Sequence, residues 1–426
     1  MSTPSPIRPH APRRTALDLV VYGASGFTGR LVAEAVARRA PTGLRWALAG
    51  RDAGRLAAVR DALGAHVDAE VVVADAGDAD ALGALARRSR AVVTTVGPYA
   101  RYGTPLLAAC AEAGTDYADL TGEPLWMRES VDRFDRVARA SGARIVHACG
   151  FDSVPSDLGV LALQRAALER HGRPCHGVVH VVESMSGGVS GGTVASAFEL
   201  LERVARDPAA RTALADPDLL APGGAPSADP VGGWLPLRHE GIEGWSAPFV
   251  MARTNAKVVR RTRLLLGEPW GDVRYLERLA APTWARAAAI GAVTVTAVGL
   301  LRIGPLRAAL RRWLPAPGAG PSRGVREAGS FRTRLVGLVA GVAEPVVVRV
   351  EGDADPGYEA TARMLAEVGL GLATGAFDAG PVGRVSAGVS TPAVVGGGTL
   401  IERLAEVGVR VVVEPAAAAR GAAAPR

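Results

Sequence analysis

The chain has 426 residues, and 48% of them are hydrophobic, which is enough for two packed cores. Its net charge of +7 is carried almost entirely by arginine and is spread along the chain. No basic and aromatic array indicates a nucleic-acid surface, so we expect no nucleic-acid partner. Cys110, Cys149 and Cys175 lack metal or redox spacing, so we expect no metal site and a reducing, cytoplasmic location.

Both ends of the chain are predicted to be disordered tails, residues 1–17 and 415–426. The first of these contains Pro and Arg but no apolar core of the kind that a secretory signal requires. The ordered part is therefore expected to begin at Asp18.

The first predicted element is a strand over the apolar run from Leu19 to Tyr22, followed by a glycine-rich turn and then a helix from Arg30 to Ala40. Such a turn lets the backbone approach a pyrophosphate, and the helix N-terminus offers free N–H groups. The spacing is GxxGxxG. The cofactor-binding candidates here are Gly23, Ser25, Gly26, Phe27, Thr28 and Gly29.

The second predicted strand, Arg45 to Ala49, ends where dinucleotide-binding folds select between cofactors. Arg51 follows the strand and Arg55 lies one helical turn later, while Asp52 can cap the helix from 53 to 63. Two guanidinium groups suit a 2′-phosphate and predict NADP(H) as the cofactor. The alternative is two solvated arginines at a helix start.

The third and fourth predicted strands, 70–74 and 91–96, also end in candidate residues. Asp75 follows the third strand, and Gly97 and Pro98 follow the fourth; all three are cofactor-binding candidates. Ligands of doubly wound sheets bind beyond the carboxyl ends of the strands. Tyr99 and Tyr102 on the same loop are therefore catalytic candidates, with ordinary packing as the alternative.

The predicted strands 116–120 and 144–148 complete this half of the chain. His147 lies within the last of them and is expected to be a hydrogen-bonded core residue. The loop 150–157 then gathers carboxylates and hydroxyls before a helix from Leu158 to Arg170. Asp152 and Ser153 are catalytic candidates there, and the alternative is that such residues only cap the helix.

Five segments, taken in order, resemble the saccharopine dehydrogenase-like oxidoreductases, most closely the branch of the mycobacterial trans-acting enoyl reductases. They are 23–29, 49–51, 95–99, 119–123 and 150–157. The resemblance implies an α/β protein, with an N-terminal Rossmann-type doubly wound parallel sheet that binds NADP(H) and a second α/β domain. We place the first domain at 18–155 and the second, with a mixed or antiparallel sheet, at 156–414.

The second half contains two unusual stretches. Residues 207–244 are rich in Pro, Gly and Asp and are predicted to be a long surface loop or lid. Within the hydrophobic segment 284–314, fifteen residues from Ala287 to Leu301 carry no charge, which is fewer than the ~20 needed to span a bilayer. A basic amphipathic stretch follows. The alternatives for 284–314 are peripheral membrane contact, a buried helix pair, a homodimer contact or the wall of a lipid tunnel.

The function predicted from these observations is an NADPH-dependent oxidoreductase. The resemblance implies an acyl substrate, presented by a polyketide synthase or an acyl carrier, whose double bond is reduced. Two alternatives stay open: a saccharopine-type dehydrogenase acting on an imine or secondary amine, and an NADPH-binding redox sensor without turnover.

Overall fold

The computed structural model describes residues 15–187, 191–224, 233–239, 242–267, 270, 273–301, 320–379 and 387–416. The described residues form two sheets. The first has seven strands in the order β12-β6-β5-β4-β1-β2-β3, and every pairing is parallel. Its strands are β1 (Leu17–Tyr22), β2 (Trp46–Gly50), β3 (Ala69–Val73), β4 (Ser89–Thr94), β5 (Asp116–Asp119), β6 (Arg144–Val146) and β12 (Gly388–Ser390).

Helices cover both faces of this sheet, which is why its central strands are continuous apolar runs. Leu19, Val20 and Val21 on β1 are inaccessible to solvent on both sides of the strand. The helices that follow β1 to β6 are α1 (Phe27–Arg39), α2 (Ala53–Leu63), α3 (Ala79–Arg88), α4 (Tyr99–Ala113), α5 (Pro124–Ser141) and α6 (Val154–His171). The predicted doubly wound parallel sheet is confirmed, and the strand order reverses between β1 and β4.

The second sheet has six strands in the order β13-β11-β10-β7-β9-β8, antiparallel except for β7 with β9. This confirms a second α/β unit with a mixed sheet. Its strands are β7 (Cys175–Ser186), β8 (Trp245–Pro248), β9 (Arg274–Ala281), β10 (Ser330–Val339), β11 (Val346–Gly352) and β13 (Val409–Val413). Its helices are α7 (Gly191–Arg206), α8 (Pro208–Ala215), α9 (Ala252–Leu266), α10 (Trp284–Leu301) and α11 (Arg323–Glu327).

The chain then crosses back to the first sheet. Helix α12 (Thr361–Thr374) packs against α1, β1, β4 and β5, and helix α13 (Pro392–Ala405) follows β12. At Gly369 an added Cβ would lie 2.5 Å from Val93 Cγ1, so only glycine lets α12 approach β4 this closely. The domain boundary predicted at residue 155 assigns α12 and β12 to the second domain, whereas α12 packs on the first sheet and β12 pairs within it. The sequence did not reveal this, because β12 is only three residues long and carries no strand-like pattern of its own.

Two stretches of the second half differ from their sequence pattern. The predicted loop 207–244 is wrong in part, because α8 forms at its start, where Asp207 caps the helix through Ala209 N at 2.9 Å. Helix α10 lies against β8 and β9 through Ala287 and Ile290, and the side chains of Trp284 and Val293 on either flank of this buried face are exposed. Among the described helices, none is both long and apolar enough to cross a bilayer. Residues 302–314 of the predicted amphipathic segment lie outside the described residues.

Candidate functional site

The glycine turn between β1 and α1 is tightly packed. Gly23 has a φ of +84°, in the left-handed region, and an added Cβ there would lie 2.5 Å from Val96 Cγ2. At Gly29 an added Cβ would lie 2.1 Å from the Gly23 carbonyl oxygen. The turn therefore closes on itself, and a pyrophosphate can approach its backbone at the N-terminus of α1.

Substitution of Gly29 by Ala is expected to lower the affinity for NADPH by at least about tenfold, because the new methyl group must displace the Gly23 carbonyl. Isothermal titration calorimetry measures this affinity. Gly299→Ala on exposed α10 is the control, since an added Cβ there meets no atom within 4 Å. Equal affinities of the two variants would contradict the proposed turn geometry.

The side chains of the other predicted residues of this turn have different neighbours. Ser25 lies beside the end of the neighbouring strand, with its Oγ 3.9 Å from the position of a Cβ on Gly50. Phe27 packs edge-on against Tyr358 at 4.9 Å between ring centroids, and the Arg326 guanidinium lies 5.4 Å from the Phe27 ring. Thr28 follows in the first turn of α1 and is partly buried. The turn is thus supported by residues from the far end of the chain.

The end of β2 presents two exposed guanidinium groups. Arg51 and Arg55 are both exposed, and within the described residues neither forms an ion pair. The side chain of Asp52 accepts a hydrogen bond from Arg55 N at 3.0 Å, which confirms Asp52 as the N-cap of α2. Since that carboxylate is engaged with the helix backbone, it leaves both arginines available to a 2′-phosphate.

Asp75 lies at the same sheet edge, beyond β3. Its carboxylate accepts a hydrogen bond from Gly77 N at 2.8 Å and turns the chain toward α3. Burial and the nearby charge of Asp75 raise the pKa of Tyr22 to about 12, while Arg51 opposes the shift. Asp75 and Arg51 therefore both lie close to the Tyr22 hydroxyl, at the edge where the sequence predicts the cofactor.

The loop after β4 is fixed by Glu123. Gly97 is exposed and Pro98 partly buried, at the carboxyl end of β4. The two carboxylate oxygens of Glu123 accept hydrogen bonds from Tyr99 N and Ala100 N, each at 2.9 Å, so a buried acid caps α4 from a neighbouring loop. Glu123 also accepts a hydrogen bond from Ser196 Oγ at 2.6 Å, which ties α7 to the loop.

The two predicted catalytic tyrosines have different environments. The Tyr99 hydroxyl is buried, donates to Thr94 O at 3.1 Å and accepts from Leu120 N at 3.2 Å. Burial raises the pKa of Tyr99 well above its ordinary value. Tyr102 is 38% exposed, with the Arg101 guanidinium 5.1 Å from its ring centroid. Of the two hydroxyls, that of Tyr102 is the more accessible to a substrate.

The loop after β6 holds the remaining two candidates. Asp152 is partly exposed, and among the described residues its carboxyl group has no hydrogen-bond partner. Burial raises the pKa of Asp152 to about 6. Ser153 is inaccessible to solvent, and its hydroxyl donates to Asn255 Oδ1 at 2.9 Å. Asp152 can therefore meet a substrate, whereas the Ser153 hydroxyl is engaged inside the protein.

Sequence reasoning missed a buried polar network behind this loop. Glu277 on β9 accepts hydrogen bonds from Asn255 Nδ2 at 3.1 Å and from the Tyr275 hydroxyl at 3.0 Å, with Ser156 Oγ at 3.4 Å. His180 Nδ1 on β7 lies 2.8 Å from the Tyr275 hydroxyl. The signal that the sequence offers is the placement of Tyr275 and Glu277 at alternate positions of β9, which puts both side chains on one face of the sheet.

Burial keeps the titratable members of this network uncharged. It raises the pKa of Glu277 to about 8 and lowers the pKa of His180 to about 3. At neutral pH both side chains are therefore predominantly neutral, so the network is held by hydrogen bonds rather than by an ion pair.

His147 is a core residue, as predicted. Its Nδ1 lies 2.8 Å from Asp119 Oδ2 and its Nε2 lies 2.6 Å from Ser130 Oγ, all three groups being buried. The Ser130 hydroxyl also donates to Met127 O at 2.7 Å. This arrangement joins β5, β6 and α5, and the burial of Ser130 removes it from any substrate. No group of three or more His, Cys, Asp or Glu suited to a metal ion occurs among the described residues.

Several known proteins are similar to this chain in sequence. The family model of the saccharopine dehydrogenase NADP-binding domain matches residues 19–146. A protein of Mycobacterium tuberculosis (strain H37Rv) assigned as a trans-acting enoyl reductase is 45% identical over 410 residues, 92% of this chain and 96% of its own length. The trans-acting enoyl reductase of Mycobacterium leprae (strain TN) is 39% identical over 420 residues, 94% of this chain and 98% of its own.

Among solved structures, apo saccharopine dehydrogenase (L-Glu forming) from Saccharomyces cerevisiae aligns over 93% of this chain and 99% of that chain, with a TM-score of 0.49 and 10% identity. The matched NADP-binding domain contains the glycine turn, Arg51 and Arg55. The glycines of this turn and two exposed guanidinium groups, which form no ion pair within the described residues, suit a phosphorylated dinucleotide. The chain belongs to the trans-acting enoyl reductases of the saccharopine dehydrogenase-like family, and it is an NADP(H)-dependent oxidoreductase.

Proposed function

We propose that this protein reduces the carbon–carbon double bond of an α,β-unsaturated acyl thioester, with the acyl chain belonging to a polyketide or lipid. The identity to proteins named as trans-acting enoyl reductases supports this reaction class. The observation that carries the proposal is the carboxyl group of partly exposed Asp152, which has no hydrogen-bond partner among the described residues and lies at the same sheet edge as the glycine turn. A reduction of this kind needs such an acid.

The cofactor half of the proposed site is built from backbone and arginine. The turn from Gly23 to Gly29 would hold the pyrophosphate at the N-terminus of α1, and Arg51 with Arg55 would hold the 2′-phosphate. NADPH, when bound, supplies the hydride that the β-carbon of the substrate accepts.

The substrate half must supply a proton. Once the β-carbon is reduced, negative charge is shared between the α-carbon and the thioester oxygen, and the α-carbon is then protonated. Asp152 is partly exposed at this edge, and burial raises its pKa to about 6, which leaves about a tenth of the molecules protonated at pH 7. We therefore expect turnover to decline as the pH rises above about 6, because the proportion of protonated Asp152 falls.

Replacement of Asp152 by Asn is expected to lower kcat by about 10²- to 10⁴-fold, since an amide cannot donate a proton to carbon. The dissociation constant for NADPH should stay within twofold of wild type. NADPH oxidation with a long-chain 2-enoyl pantetheine thioester gives the rate, and fluorescence titration gives the affinity. Tyr102→Phe is the comparison; a large loss there, with Asp152→Asn fully active, would instead assign the acid to Tyr102.

The same assay separates the two alternatives. Oxidation of NADPH by a cyclic imine but by no enoyl thioester would favour the saccharopine-type dehydrogenase. Bound NADPH that neither substrate class oxidises would favour a redox sensor. A saturated thioester among the products, identified by mass spectrometry, is the result that we expect.

Presentation of the acyl chain by a polyketide synthase or an acyl carrier is part of the proposal.

Peripheral contact of α10 with a lipid surface is also part of the proposal. It is supported by exposed apolar side chains, with Trp284 55% and Val293 69% exposed. Arg286 lies on the same helix and is exposed as well, so anionic lipid is the surface of matching charge. We expect cosedimentation with anionic vesicles, and Val293→Glu should reduce it; unchanged sedimentation of the variant would remove α10 as the contact.

A further inference from the structure

The buried carboxyl group of Glu277 lies behind the loop that carries Asp152. Glu277 belongs to β9 of the second sheet, and its side chain is almost completely shielded from solvent. Among the described residues its only potentially cationic neighbour is His180, whose Nδ1 is 3.4 Å from Glu277 Oε1. A carboxyl group in this setting is costly to ionise, so its presence needs a reason beyond packing.

A continuous set of hydrogen bonds leads from Glu277 to the active-site loop. Glu277 Oε1 accepts from Asn255 Nδ2 at 3.1 Å, and Asn255 Oδ1 accepts from Ser153 Oγ at 2.9 Å. Ser153 is the residue that follows Asp152, at the start of α6. The side-chain amide of Asn255 donates through its nitrogen to Glu277 and accepts through its oxygen from Ser153. Because both atoms belong to one planar group, the hydrogen bond to Glu277 fixes the direction in which the oxygen meets Ser153.

We infer that Glu277 is a positioning residue for Asp152: through Asn255 it holds the Ser153 hydroxyl, and with it the turn that presents Asp152 to the substrate, in one orientation. This inference rests on the proposed role of Asp152 as the acid. The residue acts from inside the protein and touches neither substrate nor cofactor.

The groups that face Glu277 leave its carboxyl group protonated and uncharged at neutral pH. Tyr275 comes from its own strand, His180 from β7, Asn255 from α9 and Asp152 from the loop before α6. The charge of Asp152 and, above all, burial raise the pKa of Glu277. An uncharged Glu277 adds no negative charge beside Asp152, so Asp152 can cycle between its protonated and ionised forms.

A double-mutant cycle tests the inference in the full-length protein. Glu277→Ala should lower kcat about tenfold or more with the dissociation constant for NADPH unchanged, and Glu277→Gln, which is neutral and of the same shape, should recover kcat to within about threefold of wild type. In a protein that already carries Asp152→Asn, adding Glu277→Ala should cause no further loss. Independent, multiplying losses would overturn the inference, and so would an unchanged kcat in Glu277→Ala.

A second variant and a measurement without turnover keep the test decisive. If Glu277→Ala does not fold, Ser153→Ala removes the last hydrogen bond of the set and should lower kcat to a similar degree; unchanged kcat there would overturn the inference. Titration of the Asp152 carboxyl carbon by NMR should show a pKa shift of at least about half a unit in either variant. If Asp152→Asn keeps full turnover, the proposed acid is wrong, and this NMR shift, or its absence, still decides whether Glu277 acts on Asp152.

Discussion

Removal of the guanidinium groups of Arg51 and Arg55 together is expected to weaken NADPH binding by about 100-fold while leaving NADH binding within about threefold of wild type. Both side chains are exposed and have no ion pair within the described residues, so they are available to the 2′-phosphate that only NADPH carries. Solvent and salt screen exposed charges, which keeps the expected loss at the lower end of the range for two phosphate contacts.

Calorimetric titration of the double alanine variant with each nucleotide, at one fixed ionic strength, measures this preference. Arg60→Ala is the matched control, because Arg60 lies on the same helix but pairs with Asp61 at 2.9 Å. The control should bind NADPH as wild type does. An equal loss for NADPH and NADH in the double variant would place the two arginines elsewhere than at the 2′-phosphate.

Replacement of Glu277 by Gln is expected to flatten the pH dependence of stability between about pH 4.5 and 8. Burial raises the pKa of Glu277 to about 8 from an ordinary value of 4.5. Between these values the native state keeps a proton that the unfolded chain releases, so the free energy of unfolding falls as pH rises, by ~1.4 kcal/mol per pH unit at most. Above pH 8 the loss is complete, and below pH 4.5 it is absent.

Glutamine does not ionise, so the free energy of unfolding of the variant should not fall in this way. Relative to wild type it should therefore rise between about pH 4.5 and 8 by an amount on the order of 4 kcal/mol. Urea unfolding at several pH values from 5 to 8 measures the difference in slope. Glu414→Gln is the control: Glu414 follows β13 and is buried too, but it lies 3.2 Å from Arg349, so its replacement removes an ion pair and should lower the free energy of unfolding. Parallel slopes for wild type and Glu277→Gln would contradict a raised pKa.

The glycine turn and the helix cap beside it could be predicted because their signals are local. Gly23, Gly26 and Gly29 are read from seven consecutive residues, and the need for glycine at 23 and 29 follows from the turn that the backbone makes. Asp52 caps the helix that begins at the next residue. In a parallel sheet the strand ends meet at one edge, so the loops after β1, β2, β3 and β4 were expected to lie together, and they do.

The substrate half depended on contacts between distant segments. The carboxylate of Glu123 holds the backbone of Tyr99, 24 residues earlier, and this leaves the Tyr99 hydroxyl in a buried position that its sequence does not reveal. The bond between Ser153 and Asn255 spans 102 residues. No periodicity or spacing predicts such pairs, since each residue would be unremarkable at the surface.

The sequence by itself therefore determined the Rossmann-type sheet, the glycine turn and the family, because strands, glycine turns and helix caps are set within a few residues. Only the tertiary structure decided that Asp152 is accessible while Ser153 faces inward, that β12 returns to the first sheet, and that Glu277 lies buried behind the loop. The physical reason is that the accessibility of a side chain, its hydrogen-bond partners and its pKa depend on the segments packed around it, which come from distant parts of the chain.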